Sequence, residues 1–441
     1  MKTHSNRLLL LVQTVLFLFI ASVAGCKDHH QHGHHHDTTT TPAAVETTTP
    51  AAAAEPTTTT TAAASSSSSS SSSDNRLIAY IADWALPDQI AWDKLDQVIY
   101  SFAVPDQSGS LGQFNADQLK SISEEAHDND KSISLSIGGW TGSLYFSSLV
   151  ASESSRTTFA QNIADAVDEY DLNAINLDWE YPNSANGVAC NENDPQDTAN
   201  YLKFVQLLRE TLPEGTEINA AVSTTPFNDE NQTPSTSLDS AWKEAMDAFY
   251  IMGYDINGNW NEDAGPNAPL HYDGQSDGID SVSVDSAVKA WTEAGIPAEQ
   301  LYLGVPFYGR VGKVASAVTA QSGMYVALDG DQIQGDEYDE KSADPCPGAV
   351  STYSGMYQWR SIEEEGIPTN SSGWKTSWDS ASMTPYAYKG TEVLSFDDPH
   401  SLREKVKYAK ANGLGGVMLW SLEMDDADHS LLNALQGIRK D

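Results

Sequence analysis

The chain has 441 residues, of which 62 are acidic and 24 are basic, so its formal net charge at pH 7 is −38. This surplus of negative charge makes nucleic acid and anionic lipid surfaces poor partners for electrostatic binding, because both are polyanions. The length allows either two ordinary domains or one large barrel with appendages.

The first 25 residues have the composition of a signal peptide. A short basic segment with Lys2 and Arg7 precedes an apolar run over 8–24, and small residues then lead to Cys26. The apolar run lies at the short limit for crossing a bilayer, so an uncleaved transmembrane anchor is the alternative. Either way, the sequence predicts export.

The end of this leader, Val23-Ala24-Gly25-Cys26, resembles a bacterial lipoprotein lipobox. The resemblance implies cleavage before Cys26, acylation of that cysteine and attachment to a membrane through several acyl chains. Lys27 follows where an aspartate usually retains lipoproteins at the inner membrane, so we expect an outer-membrane or cell-surface location.

Residues 26–73 are predicted to be a flexible tether. Six histidines lie between His29 and His36, followed by Thr, Pro and Ala and then by serines over 65–73, and none of this composition forms a core. A coil of this length spans roughly 35 to 40 Å, enough to hold a folded domain away from a lipid surface. Metal binding by the histidines is the alternative, but such ligands need a fixed geometry.

Residues 74–441 alternate strand-like and helix-like segments. Eight βα units of this kind favour a closed parallel (β/α)8 barrel. A doubly wound open sheet is the alternative, but no glycine-rich phosphate loop follows the first strand. The predicted strands cover 77–82, 97–103, 132–137, 174–180, 217–223, 249–254, 301–307 and 416–420, and helices are predicted at 115–128, 154–170, 198–211, 284–294 and 401–412.

The stretch over 311–393, between the seventh and eighth predicted strands, is too long for a simple loop. It is rich in Tyr, Gly, Asp and Trp. We expect a small α+β insertion that stands on the face of the barrel where active sites form and that raises one wall of a groove.

The fourth predicted strand carries polar side chains at alternate positions. Asn176, Asp178 and Glu180 would share one face, whereas Ile175 and Trp179 would face a helix layer. Burial and a neighbouring aspartate would raise the pKa of Glu180, as a proton donor at neutral pH requires. The pattern predicts a catalytic pair of carboxyl groups, and an exposed loop edge is the alternative.

Separate motifs in one order resemble glycoside hydrolase family 18, the chitinases, over 76–436. The resemblance implies a TIM barrel and hydrolysis of chitin or chitooligosaccharides at β-1,4 linkages, without a cofactor or metal ion. The motifs are Ser136-Ile137-Gly138-Gly139, Asp178-Trp179-Glu180-Tyr181-Pro182, Met252-Gly253-Tyr254-Asp255, Asn267-Ala268-Pro269-Leu270, Gly304-Val305-Pro306-Phe307-Tyr308-Gly309-Arg310 and Val417-Met418-Leu419-Trp420-Ser421-Leu422.

The resemblance also implies residue roles. Glu180 would act as acid and then as base, while the N-acetyl oxygen of the sugar attacks C1 to give an oxazolinium ion. Asp178 would orient and stabilise that ion, and Tyr254 would donate to the acetamido oxygen. Trp420 would form the floor of the cleavage subsite. The other expected sugar contacts are Tyr80, Trp84 and Phe102 on the glycone side, Trp140 and Trp260 on the aglycone side, and Tyr181, Met252, Asp255, Tyr308 and Arg310 near the cleavage point.

Two positions depart from the family pattern, because Asn173 and Asn176 stand where the family has aspartates. An amide cannot share a proton with Asp178. We expect Asn176 to donate a hydrogen bond to ionised Asp178, which would favour the charged form and weaken or shift turnover without abolishing it. For Asn173 we expect a structural effect.

Two other functions remain open at this point. A non-catalytic chitin-binding lectin on the same barrel would typically lose its proton donor, but Glu180 is present. An endo-β-N-acetylglucosaminidase would cleave N-glycan cores or peptidoglycan, whereas the insertion and the paired aromatic residues favour a long polymer as substrate.

Cys190 and Cys346 lie in loop-like sequence of an exported chain, so they could form a disulfide or remain two free thiols. We expect a monomer.

Overall fold

The computed structural model describes residues 75–272, 274, 278–330 and 332–439. The predicted signal peptide, the lipidation site at Cys26 and the tether all lie outside the described residues. Within them the chain forms a parallel barrel surrounded by helices, with a second, antiparallel sheet inserted near its end.

Fourteen strands occur in the described part of the chain. In chain order they are β1 (Arg76–Ala82), β2 (Gln97–Pro105), β3 (Leu111–Gly112), β4 (Ser132–Gly138), β5 (Ala174–Asp178), β6 (Glu217–Val222), β7 (Ala248–Ile251), β8 (Leu301–Pro306), β9 (Tyr308–Lys313), β10 (Met356–Gln358), β11 (Lys375–Asp379), β12 (Thr384–Lys389), β13 (Glu392–Ser395) and β14 (Gly416–Trp420).

Eight of these strands form the barrel, in the order β1-β14-β8-β7-β6-β5-β4-β2. All neighbouring pairs in this order are parallel, and β1 also pairs with β2, which closes the sheet. The predicted (β/α)8 barrel is therefore confirmed. The open doubly wound sheet is wrong, because closure leaves the barrel sheet without a free edge.

The helices lie outside the barrel and follow its strands. They are α1 (Ala116–Asp128), α2 (Phe146–Ala151), α3 (Glu153–Tyr170), α4 (Asp197–Thr211), α5 (Ala241–Ala245), α6 (Val284–Glu293), α7 (Trp359–Glu364), α8 (Pro399–Ala411) and α9 (Ser430–Leu435). The five predicted helices match α1, α3, α4, α6 and α8 to within two residues. The four helices that were not predicted span only five or six residues each, too few for a helical period to emerge from the sequence.

Polar side chains define where the long helices begin. Ser152 and Ser283 form capping boxes at the starts of α3 and α6, and Asp398 accepts hydrogen bonds from two backbone N–H groups at the start of α8. Each cap satisfies donors that the first helical turn leaves open.

Alternation along β5 separates a polar interior face from an apolar exterior face. Trp179, which follows this strand, stacks on Phe146 of α2 at a ring distance of 5.2 Å and meets Tyr201 of α4 edge to face. The opposite face carries Asn176, whose amide oxygen accepts hydrogen bonds from Tyr80 of β1 and Ser136 of β4. The predicted division of faces is confirmed, and the polar face lies inside the barrel.

The insertion contains one five-stranded antiparallel sheet and helix α7. Its strand order is β10-β9-β13-β12-β11, and β9 begins only one residue after barrel strand β8 ends. The predicted small α+β insertion is confirmed, although its sheet spans 308–395 and not 311–393. Because β9 continues from β8, the insertion stands on the face of the barrel where the parallel strands end.

Candidate active site

The ends of β4 and β5 bring three polar residues into the barrel mouth. Asn176, Asp178 and Glu180 are 0%, 4% and 2% exposed. Gly138 pairs with Asp178 in the parallel register, so both strands end at the same level. The structure therefore brings together the three residues that the strand pattern singled out.

Ser143 fixes the backbone around the two carboxyl residues. Its hydroxyl accepts a hydrogen bond from the Glu180 N–H at 2.9 Å, and it lies 2.8 Å from the Gly139 carbonyl oxygen and 3.2 Å from that of Asp178. The Asn191 side chain donates to the Glu180 carbonyl at 2.9 Å. These contacts hold the strand end rigidly, as a site that must position a proton donor requires.

The two carboxyl groups have raised pKa values for the same physical reason. Burial raises the pKa of Asp178 to about 7. Burial, followed by the nearby charge of Asp178, raises the pKa of Glu180 well above its ordinary value, although the Tyr181 hydroxyl acts in the opposite direction. Glu180 is thus held protonated at neutral pH, as a general acid must be.

One oxygen of each carboxyl group is left for a ligand. Among the described residues, Oδ1 of Asp178 and Oε2 of Glu180 have no hydrogen-bond partner. Buried polar atoms are rarely left in this state, and a catalytic role, a bound ligand or a bound water can each account for it. The pair can therefore accept and donate hydrogen bonds to a bound substrate without first breaking protein contacts.

The expected hydrogen bond from Asn176 to Asp178 is absent, which corrects the sequence prediction. The Asn176 amide oxygen accepts from the Tyr80 and Ser136 hydroxyl groups, both at 2.8 Å. Its Nδ2 group has no partner among the described residues. The pKa of Asp178 is raised by burial, whereas the prediction required it to be lowered. Asn176 is instead a neutral neighbour that two hydroxyl groups hold in place.

Asn173 lies at the start of the strand and is exposed. Its side-chain oxygen accepts a hydrogen bond from the Ile133 N–H at 2.9 Å, which links the beginnings of β4 and β5. This contact agrees with the structural effect expected for Asn173.

Tyr254, which follows strand β7, lies near the acidic side chains of the site. Burial, and then the charges of Asp178, Asp255 and Glu180, raises the pKa of its hydroxyl well above the ordinary value. The hydroxyl lies 4.0 Å from the Met418 sulfur, a weak acceptor. Tyr254 is therefore a protonated donor with little internal competition for its hydrogen.

Asp255 organises a buried ion pair beside this tyrosine. Its two oxygens accept hydrogen bonds from the Tyr308 hydroxyl at 2.8 Å and from Arg310 Nε at 2.7 Å. Arg310 also donates to the Ser354 carbonyl, while its Nη2 has no partner among the described residues. The fixed guanidinium presents one free donor direction at the wall of the site.

Aromatic rings from three neighbouring barrel strands form one continuous cluster on the predicted glycone side. Phe102 stacks on Trp420 at 5.5 Å and on Trp84 at 6.2 Å, and Tyr80 contacts Trp420 at 5.4 Å. Phe102 and Trp420 retain 7% and 5% exposure, and Trp84 is half-buried. Flat rings with an exposed edge suit the apolar faces of sugar rings.

Three expected sugar contacts are buried almost completely, and each one contacts another side chain. Tyr80 and Trp140 are 1% exposed and Tyr308 is 2% exposed. Tyr80 donates to Asn176, Tyr308 donates to Asp255, and Trp140 Nε1 donates to Asp344 at 2.9 Å. Each of the three is thus held in place by a side-chain hydrogen bond, and their direct contact with sugar stays a prediction.

The remaining expected contacts lie at the rim of the mouth. Met252 is 9% exposed, whereas Trp260 and Tyr181 are half-buried. The Arg310 guanidinium lies 5.8 Å from the centre of the Trp260 ring, within cation–π distance. Trp260 is thereby held beside the buried Asp255–Arg310 ion pair.

Cys190 and Cys346 are joined by a disulfide, with their Cα atoms 5.5 Å apart.

Among the described residues, no group of three or more His, Cys, Asp or Glu side chains is arranged to hold a metal ion. No helix in the same part of the chain is long and apolar enough to cross a bilayer.

Sequence reasoning missed four residues that shape the site. Ser136, Ser143, Asn191 and Asp344 are each defined by contacts with residues distant in the chain. Small polar residues are common in loops, so no local pattern distinguishes these four. Ser136 alone lies within one of the motifs that resemble family 18.

Comparison with known proteins gives matches over most of the chain. The family model "Glycosyl hydrolases family 18" matches residues 76–425. A chitinase from Rhizomucor miehei is 60% identical, with a TM-score of 0.82, and the match covers 83% of this chain and all of that one. A chitinase-like effector from Moniliophthora perniciosa is 35% identical over 80% of this chain and 83% of its own. A family 18 N-acetylglucosaminidase from Paenibacillus barengoltzii is 26% identical, covers 82% and 99% of the two chains and has a TM-score of 0.67.

Proposed function

Because this chain belongs to glycoside hydrolase family 18 and is a chitinase-type glycoside hydrolase, we propose that it cleaves β-1,4 linkages between N-acetylglucosamine units of chitin or chitooligosaccharides. The reaction we propose is retaining and substrate-assisted. One observation carries the proposal: Glu180 and Asp178 are buried together at the end of β5, and each has one oxygen without a partner among the residues that the structure describes.

In the proposed first step, Glu180 donates its proton to the glycosidic oxygen. The acetamido oxygen of the same sugar attacks C1 as the C1–O bond breaks, giving an oxazolinium ion and a free leaving group. The carboxylate of Asp178 faces the amide N–H of that ion, and the Tyr254 hydroxyl donates to the acetamido oxygen. Family 18 is an exception to the use of a second carboxylate as nucleophile.

In the second step, Glu180 takes a proton from water as the water oxygen attacks C1. The ring opens to regenerate the acetamido group, and the configuration at C1 is retained after two inversions. The chemistry needs an N-acetyl group beside the cleaved bond, which defines the substrate class. It needs neither a metal ion nor a cofactor at these residues.

Product analysis on a hexamer of N-acetylglucosamine tests this proposal. We expect the wild-type protein to release short oligomers whose new reducing ends are β-anomers. Glu180→Gln should abolish the release while leaving binding measurable by calorimetry. Glu214→Gln, an exposed change of the same chemical kind, serves as the matched control. Release of α-anomers, or undiminished release by Glu180→Gln, would refute the mechanism.

The lectin alternative predicts a different result in the same experiment. Tight binding of the hexamer without cleavage by the wild-type protein would support it. The buried, protonated Glu180 argues against it, because a protein that only binds sugar has no use for a carboxyl group with a raised pKa. Cleavage of N-glycan cores in preference to the hexamer would instead support an endo-β-N-acetylglucosaminidase.

We also propose that the protein is exported by its leader, with Cys26 as the site of lipid attachment and an outer-membrane or cell-surface location. The apolar run and the lipobox-like end of the leader support this proposal. The 60% identity with a fungal chitinase does not support a bacterial origin. Intact-mass analysis of the mature protein distinguishes an acylated Cys26 at the N-terminus from an unmodified one.

A further inference from the structure

One tyrosine of the insertion presents its ring to solvent on a rigid support. Tyr338 lies in a turn between β9 and β10 and is 42% exposed. A single exposed tyrosine needs no explanation, because apolar side chains scattered over a surface are ordinary. Tyr338 differs in the buried charges that hold both its turn and its ring in place. It is not among the sugar contacts that the family motifs imply.

The Arg360 guanidinium covers one face of this ring. Its central carbon lies 3.7 Å from the ring centre, which is a close cation–π contact. The Nε group of Arg360 donates a hydrogen bond to the Gln358 side chain at 2.7 Å, which fixes the guanidinium. Because one face is covered and 42% of the residue is exposed, the opposite face of Tyr338 is the one open to solvent.

Asp336 connects the two halves of the pair. One of its carboxylate oxygens accepts a hydrogen bond from the Tyr338 N–H at 3.0 Å, and the other accepts from the Gln358 N–H at 2.7 Å. Asp336 is 5% exposed, and a buried carboxylate is costly unless such hydrogen bonds compensate. The turn that carries Tyr338 and the strand that precedes Arg360 consequently share one support.

Asp339 fixes the other end of the turn. It is 4% exposed, and its carboxylate accepts hydrogen bonds from the N–H groups of Gly335, Ser354 and Gly355 at 2.8 to 3.0 Å. Two buried carboxylates thus hold the backbone on both sides of Tyr338. A ring that is already held in place loses little conformational entropy when a ligand binds, which is what a binding platform requires.

The start of α7 places the pair at the mouth of the barrel. The Trp359 N–H donates to the Phe307 carbonyl at 2.9 Å, and Nε1 of Trp359 donates to Asp426 at 2.7 Å. Phe307 follows β8 and Asp426 follows β14, and these two strands are neighbours in the barrel. Arg360, the next residue of α7, therefore lies near the ends of both strands.

Glu423 indicates the side of the mouth on which the pair lies. Burial raises the pKa of Glu423 to about 7, and the Arg360 charge acts in the opposite direction, so the two side chains are neighbours. Glu423 follows Trp420 by three residues, and its carboxyl group also lies near the backbone of Ala82 at the end of β1. The pair is therefore on the side of the aromatic cluster of β1, β2 and β14.

The surroundings of the ring favour a neutral sugar as its ligand. Glu337 and Glu340 are exposed on either side of Tyr338 and repel polyanions. Sugar rings present apolar C–H faces that pack on flat side chains. A chitin chain is uncharged and carries such faces along its length.

We propose that Tyr338, positioned by Arg360, is a further sugar-binding platform, and that it holds the part of a chitin chain that extends beyond the aromatic cluster on the glycone side. The proposal rests on the proposed function and adds a preference for long chains over short oligomers. A chain that reaches the ring gains one stacking contact, whereas an oligomer too short to leave the groove gains none.

Comparison of a long and a short ligand measures this contact without catalysis. The full chain carrying Glu180→Gln is titrated with the trimer of N-acetylglucosamine and with a soluble chitin derivative, and the ratio of the two affinities is recorded. We expect Tyr338→Ala in this background to lower the relative affinity for the polymer by about two- to ten-fold, the range for one stacked ring. Tyr338→Phe retains the ring and should retain the ratio.

Two further variants separate the ring from its neighbours. Tyr272→Ala removes a tyrosine of similar exposure outside the insertion, 37%, and should keep the ratio of the parent. Arg360→Met removes the guanidinium and should lower the ratio. Combined with Tyr338→Ala it should lower the ratio no further, because Arg360 acts through the ring and not on the sugar.

Nitration by tetranitromethane, read by peptide mass spectrometry, locates the bound chain. We expect the polymer, but not the trimer, to protect Tyr338. Tyr272 should be nitrated equally with and without the polymer. Circular dichroism establishes that each variant is folded.

An unchanged affinity ratio in folded Tyr338→Ala, an equal loss in Tyr272→Ala, or nitration of Tyr338 that the polymer does not slow would overturn the proposal. Additive losses in the double variant would overturn the positioning role of Arg360. If the wild-type protein bound the trimer and the polymer without cleaving either, the proposed function would fail. The affinity ratio and the nitration would then still decide whether Tyr338 holds the chain.

Discussion

Replacing Asn176 by aspartate is expected to move the acidic limb of the pH profile to higher pH. Asn176 is fully buried two residues before Asp178 on the same face of β5. Its amide oxygen already receives two hydroxyl donors, from Tyr80 and Ser136. A carboxylate at 176 would use the same donors, whereas Oδ1 of Asp178 has no donor within the described part of the chain. The new carboxyl group should therefore ionise first and oppose ionisation of Asp178.

The geometry gives the size of this effect. Two residues along a strand span about 6.6 Å. Two unit charges at that separation repel by about 2.5 kcal/mol at an effective dielectric constant of about 20. This energy corresponds to a rise of about two pH units in the pKa of Asp178, which burial has already raised to about 7. Below the new value Asp178 is protonated and could not balance the charge of the proposed oxazolinium ion.

The measurement is kcat/KM for a soluble oligomer between pH 4 and pH 10. On the acidic limb, a displacement of about two pH units makes the variant about a hundred-fold slower than the wild type at the same pH. Asn173→Asp is the matched control, because it is the same chemical change at an exposed position that lies far enough away to be screened. Superimposable acidic limbs for Asn176→Asp and the wild type would refute this reasoning.

Three further changes test the buried charges. Burial raises the pKa of Glu423 to about 7 from 4.5, so its folded form binds more protons than its unfolded form and stability falls as pH rises between these values. Glu423→Gln should therefore raise the free energy of unfolding by about 3 kcal/mol at pH 8 and by much less at pH 5, as measured in urea. Lys405→Met leaves Asp397 buried without its cation and should lower the unfolding free energy by about 3 to 5 kcal/mol in the same assay. Asp255→Asn removes the charge that pairs with Arg310 and should lower kcat/KM at least about ten-fold, with a stability loss near 3 kcal/mol; an unchanged kcat/KM would remove Arg310 from the binding site.

The barrel and its polar strand face could be predicted because they depend on local periodicity. Alternation along β5 assigned Asn176 to the interior and Trp179 to the helix layer, and both placements are confirmed. Parallel strands in a closed barrel share one direction, so a polar strand end necessarily reaches the mouth. The positions of the strands could therefore be predicted from the local sequence pattern alone, without knowledge of contacts with distant residues.

The supporting contacts could not be predicted, because each one depends on a partner far along the chain. Trp140 is buried by a hydrogen bond to Asp344, which lies 204 residues later. The expected donation from Asn176 to Asp178 was wrong, because hydroxyl groups on β1 and β4 compete for the orientation of the amide. Motif position placed Trp140 directly after a barrel strand but gave no indication of its contact with Asp344.

The two unpartnered oxygens suggest how substrate and proton state are coupled. Oδ1 of Asp178 lacks a donor and Oε2 of Glu180 lacks an acceptor among the described residues. An N-acetylated sugar supplies both, an amide N–H for Asp178 and a glycosidic oxygen for Glu180. Donation to a carboxylate lowers its pKa, so the bound substrate itself favours the charged Asp178 that the reaction needs. The acidic limb of kcat, which reports the complex, should therefore lie below that of kcat/KM, which reports the free protein. In the proposed mechanism, a sugar that lacks the amide would leave much of Asp178 protonated at and below pH 7. The N-acetyl group would then serve both as the nucleophile and as the means of charging the residue that stabilises the oxazolinium ion.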